Sequence, residues 1–334
     1  MKYSFFFIFF ISLSLIAQRK QKNKFPPDMD INAILENDSY IDQLQKFDSE
    51  PVYHLKIKTL YGYQIFINEI PVVSKNNNTS SSIWYPINNS LLKNKNQTLS
   101  IVIYPRYISD NLQNETLEND IPFRLEIEES FWVDDDMSEP VSTLAYELPK
   151  QNENGQKIDF SELKFYKESL SFQTKIPYQI SEWENSKVFK EKDSTYLTEQ
   201  VLSFYTKLKR DFESQKGEDY VSSVSKGMFN LFKSNYFTKE EASKRFQNKI
   251  DFINKKKREL ASIENFKLEI SGGGRLLSLK RMDGFNKREG VLRRYYTKNG
   301  VKKVQIKDIL IHMPKDKNQF EVLWYYNIVR SVED

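Results

Sequence analysis

The sequence predicts an α+β fold, with antiparallel strands in the N-terminal half and amphipathic helices packed on a second antiparallel sheet in the C-terminal half. Three observations support this class. Short apolar alternations begin at Tyr53, apolar residues recur at helical spacing after Ser194, and Asn299-Gly300 stands between two β-prone runs. Asn-Gly in that setting favours a two-residue hairpin, because both turn positions require a positive φ.

The helical stretch begins after Ser194. A first amphipathic helix is predicted there because apolar residues recur every three or four positions: Leu197, Val201, Phe204, Leu208 and Phe212. A second stripe with the same spacing follows Gly217. Thr238 and Glu241 then form a capping box, which predicts the start of a third helix. The basic run 255–258 ends that helix, where cations complement the helix dipole.

The stretch from Phe266 to Tyr326 predicts a meander of antiparallel strands. Its three consecutive glycines, 272–274, suit a turn or a sharply bent sheet corner. In the strand after the hairpin the apolar residues change parity midway: Val304 and Ile306, then Ile309 and Ile311. This change predicts a β-bulge near Asp308.

The last predicted strand alternates at Phe320, Val322 and Trp324, which indicates one buried face. Three helices followed by a curved antiparallel meander, over residues 194–326, resemble the layout of the NTF2-like superfamily. The resemblance implies a cone-shaped sheet. It also implies no single activity, because that superfamily includes small enzymes, ligand carriers and protein-binding modules.

The N-terminal half reads as a β-sandwich over residues 52–150. Short strands alternate from Tyr53 onward, and Asn68-Glu69 suits a turn between two of them. The layout of residues 87–103, Ile-Asn, then Leu-Leu, then Asn-Gln-Thr-Leu-Ser-Ile-Val-Ile, resembles the start of galactose-binding-like jelly rolls. Lys95 stands where that pattern has a glycine. The resemblance implies a jelly-roll sandwich used for display or recognition.

The start of the chain predicts export. Residues 1–17 combine a positive Lys2, an apolar stretch and a small residue at Ala17, which together indicate a signal peptide cleaved near Ala17. An uncleaved membrane anchor is the alternative, and the signal segment is the only membrane contact expected. The predicted divisions are a flexible leader (18–51), the sandwich (52–150), an extended connection (151–193) and the helix-and-sheet domain (194–334). The absence of cysteine excludes disulfides and thiol chemistry.

Charge is divided unevenly along the chain. Residues 194–334 contain 29 Lys and Arg against 18 Asp and Glu, whereas residues 1–193 contain 21 against 28. A basic half indicates either an anionic partner or simply a solvated surface. Export argues against nucleic acid, so another protein is the expected partner and a glycan is the alternative.

Two sets of residues are candidates for a site. In a cone-shaped pocket, Asp308 and His312 would be the proton-transfer pair, with Arg293, Arg294 and Trp324 as ligand contacts. The simpler interpretation is that Asp308 stabilises the bulge and His312 lies at the rim of the sheet. No catalytic residue is therefore assigned unless the chain is an enzyme.

In the N-terminal half, Trp84 and Trp132 are candidate sugar-stacking aromatics, although each also suits a core position. The carboxylates 134–136 lack the alternate spacing and turn glycine of a calcium loop. His54 and His312 are the two histidines of the chain, and they lie in different predicted domains, which excludes a multi-histidine metal site. No metal or cofactor is predicted.

The whole layout resembles exported bacterial envelope proteins with a galactose-binding-like sandwich and an NTF2-like domain. The signal peptide, the uneven charge and the absence of a recognised catalytic motif predict an exported, non-enzymatic binding protein in the periplasm or outside the cell. For some of the proteins it resembles, the resemblance implies a link to toxin immunity. Two alternatives stay open: a small-molecule enzyme or carrier using a cone-shaped C-terminal pocket, and glycan binding by the sandwich.

Overall fold

Antiparallel strands dominate the fold, which confirms a mixed α and β architecture. The computed structural model describes residues 41, 44–79, 81–109, 112–133, 136–190, 194–284 and 286–332. The predicted signal peptide and most of the predicted leader lie outside the described residues, as do Asp134 and Asp135.

Eleven strands precede the helices in the described part of the chain. They are β1 (Pro51–Thr59), β2 (Gly62–Ile67), β3 (Ile70–Lys75), β4 (Ser81–Pro86), β5 (Lys95–Tyr104), β6 (Tyr107–Ser109), β7 (Leu112–Gln113), β8 (Phe123–Val133), β9 (Asp136–Met137), β10 (Val141–Glu147) and β11 (Tyr166–Thr174). The helices and the remaining strands are α1 (Ser194–Glu213), α2 (Gly217–Ser234), α3 (Lys239–Asn254), β12 (Phe266–Ser271), β13 (Leu276–Arg281), β14 (Leu292–Lys298), β15 (Val301–His312) and β16 (Glu321–Ser331).

Nine of these eleven strands form two larger antiparallel sheets, with the orders β10-β8-β1-β4, where β9 also pairs with β8, and β11-β5-β2-β3. β6 and β7 pair with each other. Period-two alternation buries one face of each sheet. In β5, for example, Leu99, Ile101 and Ile103 are fully buried. The turn between β2 and β3 is the predicted one, with Asn68 and Glu69 at φ 51° and 66°.

β11 lies in the stretch that was expected to connect the two halves. It pairs along β5 from Tyr166, opposite Ile103, to Thr174, opposite Lys95. The chain then continues as buried structure, since Tyr178 is only 4 % exposed and its hydroxyl donates to the backbone carbonyl of Asn88. This connection is therefore built into the packed interior.

The three helices begin where capping and periodicity place them. The capping box of α3 is confirmed: the Thr238 side chain accepts from the backbone N–H of Glu241, and the Glu241 carboxylate accepts from the backbone N–H of Thr238. In the middle of α1, Tyr205 is fully buried, whereas its neighbour Phe204, which was predicted to face the core, is half-buried. Tyr205 fits because its hydroxyl donates to the carbonyl of Ile309 at 2.7 Å, which satisfies the polar group inside the core.

The last five strands form a curled sheet with the order β12-β13-β15-β14, and β16 pairs with the other side of β15. The predicted hairpin is confirmed, with Asn299 and Gly300 at φ 52° and 75° between β14 and β15. The turn at the three glycines is confirmed as well, because all three have positive φ between β12 and β13.

Around β13, β15 and the start of β16, both faces of this curled sheet are covered by packed side chains. On the helix side, sheet residues such as Leu279, Ile309 and Ile311 join helix residues in one buried cluster, called here the helix core. On the opposite side, sheet residues join those of the N-terminal sheets in a second cluster, called the junction core. Its members from the C-terminal half are Tyr236, Leu276, Leu310, Leu323 and Trp324. The two halves therefore share a hydrophobic interior.

The predicted bulge near Asp308 is wrong in position. β15 pairs with β14 without interruption up to Lys307, and its register with β16 shifts between Leu310 and Ile311. The extra residue at that point, Leu323, belongs to β16. The parity change in β15 has another cause: residues of both parities are buried because both faces of the sheet are covered.

The bulge at Leu323 also changes the last strand. Val322 packs in the helix core, whereas Leu323 and Trp324 both pack in the junction core. The predicted alternation of Val322 and Trp324 on one face is therefore wrong, since an extra residue reverses which side the following side chains take.

α2 approaches β16 closely at Gly227. A Cβ atom added there would lie 2.5 Å from Cγ1 of Val322 and 3.1 Å from the backbone carbonyl carbon of Trp324. Alanine is normally the better helix residue, but here it would overpack the contact. We expect Gly227→Ala to lower the free energy of unfolding by about 1–3 kcal/mol, measured by urea unfolding. Ser222→Ala, at an exposed position of α2, is the control, and equal stability of the two variants would contradict this packing.

Candidate functional site

Asp308 and His312 lie on the same strand but have different partners. The Asp308 carboxylate accepts two hydrogen bonds from Lys280 Nζ, at 2.7 and 2.8 Å. His312 is four residues further along β15, which is about 13 Å in an extended strand. The structure therefore does not bring them together, and Asp308 is neutralised by a lysine of the neighbouring strand.

His312 is buried in a polar group of its own. Its Nδ1 lies 2.8 Å from Ser186 Oγ, and its Nε2 lies 4.0 Å from a carboxylate oxygen of Glu321. Glu321 is also paired with Lys226 and Lys317, at 2.8 and 2.7 Å. Burial lowers the pKa of His312 to about 4, so the imidazole is neutral at neutral pH.

The serine, histidine and carboxylate of this group are the residue types of a hydrolase triad, but the geometry does not allow that role. Ser186 is 0 % exposed. The cavity beside His312, which Asn230 and Glu321 help to line, has a volume of about 10 Å³. That volume is no more than one water molecule needs, so a substrate carbonyl cannot reach the hydroxyl. The group is a buried polar contact between the connection and the sheet.

Trp324 and Arg293 are both inside the protein. Trp324 is 2 % exposed and packs in the junction core, with its ring centroid 6.2 Å from that of Tyr326. Arg293 is 3 % exposed, and it donates to Glu289 at 2.9 Å and to the carbonyl of Gly290 at 3.1 Å. Neither side chain is available to a ligand in this arrangement.

The two N-terminal tryptophans lie on different strands. Trp84 stacks on the His54 imidazole with the ring centroids 3.6 Å apart and an interplanar angle of 10°. The imidazole covers one face of the indole, so that face cannot stack on a sugar. Trp132 is half-buried at the end of β8 and packs against the junction core. Through β1, Trp84 lies level with Glu126, six residues before Trp132 on β8, so about 20 Å separates the two tryptophans.

Arg294, which was predicted to contact a ligand, lies beside other positively charged side chains. Since Leu292 pairs with Lys307 and Arg294 with Gln305, Arg294 and Lys307 lie on the helix side of the sheet, next to the end of α3. Two more cations are close enough for their charges to act on this pair, Lys249 on Lys307 and Arg258 on Arg294. The four residues, Lys249, Arg258, Arg294 and Lys307, are called here the basic cluster.

Aromatic rings hold these cations. The guanidinium carbon of Arg258 is 3.9 Å from the centroid of the Phe252 ring, and that of Arg294 is 5.5 Å from the same ring. Arg294 also lies 4.4 Å from the ring of Tyr296. Such cation–π contacts stabilise a positive charge without neutralising it.

Lys307 is the most unusual member of the basic cluster. It is 0 % exposed, and its ammonium lies 4.0 Å from the centroid of the Phe212 ring. Among the described residues, its Nζ has no hydrogen-bond partner. Burial, together with the charges of Lys249 and Arg294, lowers the pKa of Lys307 well below its usual range.

No member of the basic cluster has a carboxylate within 4 Å among the described residues. Other arginines of this half are paired, for example Arg288 with Glu269 at 2.7 Å and Arg330 with Glu289 at 2.9 Å. Burial lowers the pKa of Arg294, and the charge of Arg258 lowers it further. The cluster therefore concentrates positive charge.

Sequence reasoning missed Lys249 and Lys307, and it assigned Arg258 only to the complementation of the helix dipole. A signal for Lys307 was present, since Lys307 has the same parity as Ile309 and Ile311. A lysine in line with the apolar face of a strand is expected to be buried. Lys255, Lys256 and Lys257 follow α3 and are exposed. Together with the basic cluster they are called here the basic face.

Within the residues that the structure describes, no three His, Asp or Glu side chains come together in a way that could hold a metal ion. None of the helices in the described ranges combines the length and the apolar character that a membrane crossing requires.

The fold and this site define a class of protein: a mixed α and β chain built on antiparallel sheets. Beside its C-terminal sheet lies a group of cations that pair with no carboxylate of the described residues. No protein-family profile, curated protein or solved structure matches the chain.

Proposed function

We propose that this protein is an exported, non-enzymatic binding protein of the bacterial envelope, and that its basic face receives an acidic partner protein. A toxin-immunity role is the form of this function that the sequence layout favours. The finer fold is part of the proposal: a jelly-roll sandwich in the N-terminal half and an NTF2-like domain in the C-terminal half. The basic cluster carries the proposal, because its cations have no carboxylate partner within the described chain.

The charge distribution supports an acidic partner. Residues 194–334 have 11 more basic than acidic side chains, and Lys255–Lys257 present three exposed charges beside the cluster. Complementary charge accelerates association and fixes orientation. Aromatic rings among the cations add contact area of the kind that is enriched at protein interfaces. Two exposed carboxylates of the same stretch, Asp251 and Glu259, pair with none of the cluster cations.

The geometry favours this function over a pocket enzyme or carrier. Such a protein would need an open cavity on the curled sheet with Asp308 directed into it. Both sheet faces are instead filled by the helix core and the junction core, and Asp308 is paired with Lys280. Glycan binding has less support too, since Trp84 is stacked on His54 and Trp132 packs against the junction core.

The test compares two triple variants in binding to a purified partner. The mature chain serves as bait, the captured protein is identified and purified, and association is measured with purified components at low and high salt. Lys255→Glu, Lys256→Glu and Lys257→Glu together are expected to slow association about tenfold or more at low salt. The matched control reverses three exposed lysines outside the basic face: Lys150, Lys157 and Lys164.

Equal binding by the two triple variants would contradict the proposal, and so would a captured partner that proves to be DNA or RNA. Export is tested separately by the mass of the protein recovered from the envelope fraction, which should correspond to a chain beginning near Gln18. A protein that stays in the cytoplasm at full length would contradict that part.

A further inference from the structure

Arg294 and Arg258 keep unused hydrogen-bond donors. Arg294 donates through Nε to Gln305 at 3.0 Å, and Arg258 donates through one terminal nitrogen to the carbonyls of Phe252 and Lys256. A guanidinium has five N–H donors. No other acceptor within the described residues engages the remaining nitrogens of Arg294. The terminal nitrogens of Arg294 are thus free to bind two oxygens of a carboxylate or a phosphate in a bidentate manner.

Lys307 is a second and independent indication of an anion. A buried ammonium without a hydrogen bond is costly, and proteins generally pair such a group or leave it uncharged. Lys307 lies on the same sheet face as Arg294. The charges of Arg294 and Lys249 are close enough to Lys307 to lower its pKa. An anion beside Arg294 and Lys249 would offset the cost of holding their charges together, and it would favour the protonated form of Lys307.

We propose that Arg258 and Arg294, with Lys249 and Lys307 beside them, form a specific binding site for a single oxyanion group, a carboxylate or a phosphate. This inference rests on the proposed function, because the site lies within the basic face, and it names the group that the face recognises. Two sources of that chemistry exist: an acidic side chain of a partner protein, or a free small anion.

The test titrates the purified mature chain with inorganic phosphate and, separately, with a hexaglutamate peptide, at constant ionic strength set with sodium chloride. Calorimetry measures affinity and stoichiometry. One saturable site is expected, and Arg294→Gln should weaken it about tenfold or more, since a bidentate charge-assisted contact is lost. Arg294→Lys keeps the charge but not the planar guanidinium, so its affinity for the anion should lie between those of Arg294→Gln and the wild type. Arg281→Gln, which removes an arginine already paired with Asp283, is the matched control and should bind as the wild type does.

Lys307→Met separates a binding role from a structural one. Removing a buried, unpaired ammonium is expected to raise the melting temperature, while the affinity for the anion falls. A residue with a purely structural role would change the melting temperature alone, and that result would remove Lys307 from the site.

Each outcome of the titrations has a definite meaning. Binding of both probes supports the oxyanion site. Binding of hexaglutamate alone assigns the site to a partner carboxylate, and binding of phosphate alone assigns it to a free anion and weakens the case for an acidic protein partner. Binding of neither probe, or equal binding by Arg294→Gln and wild type, overturns the inference. The Lys255–Lys257 reversal leaves Arg258 and Arg294 intact, so failure of the proposed function and failure of this site give different results.

Discussion

Replacing Trp324 by alanine is expected to lower the free energy of unfolding by about 3–5 kcal/mol, the usual cost of removing a buried tryptophan. The side chain is 2 % exposed and packs in the junction core, which the two halves share. We therefore expect a single urea transition at lower denaturant concentration, in which the far-ultraviolet signal of the helices and the fluorescence of the remaining tryptophans change together. Those tryptophans, Trp84, Trp132 and Trp183, all precede α1.

Trp84→Ala provides the comparison for this variant, since Trp84 is half-buried and contacts His54 through one face. It should cost clearly less stability than Trp324→Ala. Were Trp324→Ala to leave stability within about 0.5 kcal/mol of the wild type, Trp324 would not be a core residue. That result would support the prediction from the sequence that Trp324 contacts a ligand in a cone-shaped pocket.

Acid is expected to destabilise the protein through its two histidines. Burial lowers the pKa of both His54 and His312 to about 4, from the ordinary value of 6.5. Between pH 6.5 and 4 the unfolded chain therefore binds more protons than the folded chain, so stability is complete above pH 6.5 and is lost as the pH falls toward 4. Each histidine should account for about 3 kcal/mol of that loss.

Urea unfolding at a series of pH values from 7 to 4 measures this effect. Carboxylates also titrate in this range, so the informative quantity is the difference between wild type and variant. His54→Phe keeps an aromatic ring against Trp84, and His312→Asn keeps a polar atom near Ser186. The double variant should lose less stability on acidification, and an unchanged pH dependence would show that neither histidine is buried in its neutral form.

Features that depend on a few neighbouring residues were predictable from the sequence. The hairpin at Asn299-Gly300 and the turn at Asn68-Glu69 follow from residues that accept positive φ. The capping box at Thr238 follows from hydrogen bonds within one helical turn. In each case the information is local, so no knowledge of the remaining fold was needed.

Features that depend on distant partners were not predictable in this way. The register shift at Leu323 and the opposite packing of Val322 and Trp324 depend on the N-terminal sheets covering the second face of the curled sheet. Periodicity indicates that a face is buried, but it does not identify what buries it. With both faces covered, the simple alternation that helps to locate a bulge is lost.

The candidate site was predictable in part. Arg294 was recognised because it stands on the partner strand of the hairpin. Lys307 was missed although its parity with Ile309 and Ile311 indicates burial, and the ring that its side chain contacts, Phe212 of α1, lies nearly a hundred residues earlier in the sequence. Phe252 joins Arg258 and Arg294 only through the tertiary contact of α3 with the sheet.

The junction core limits how the two halves of the gene can be exchanged by recombination. Recombination that exchanged one half for an unrelated sequence would leave Leu310, Leu323 and Trp324 facing a surface that had not evolved with them. Such hybrids would expose a large apolar area and tend to aggregate. The two halves are therefore expected to be gained, lost and diversified together, as a single evolutionary unit.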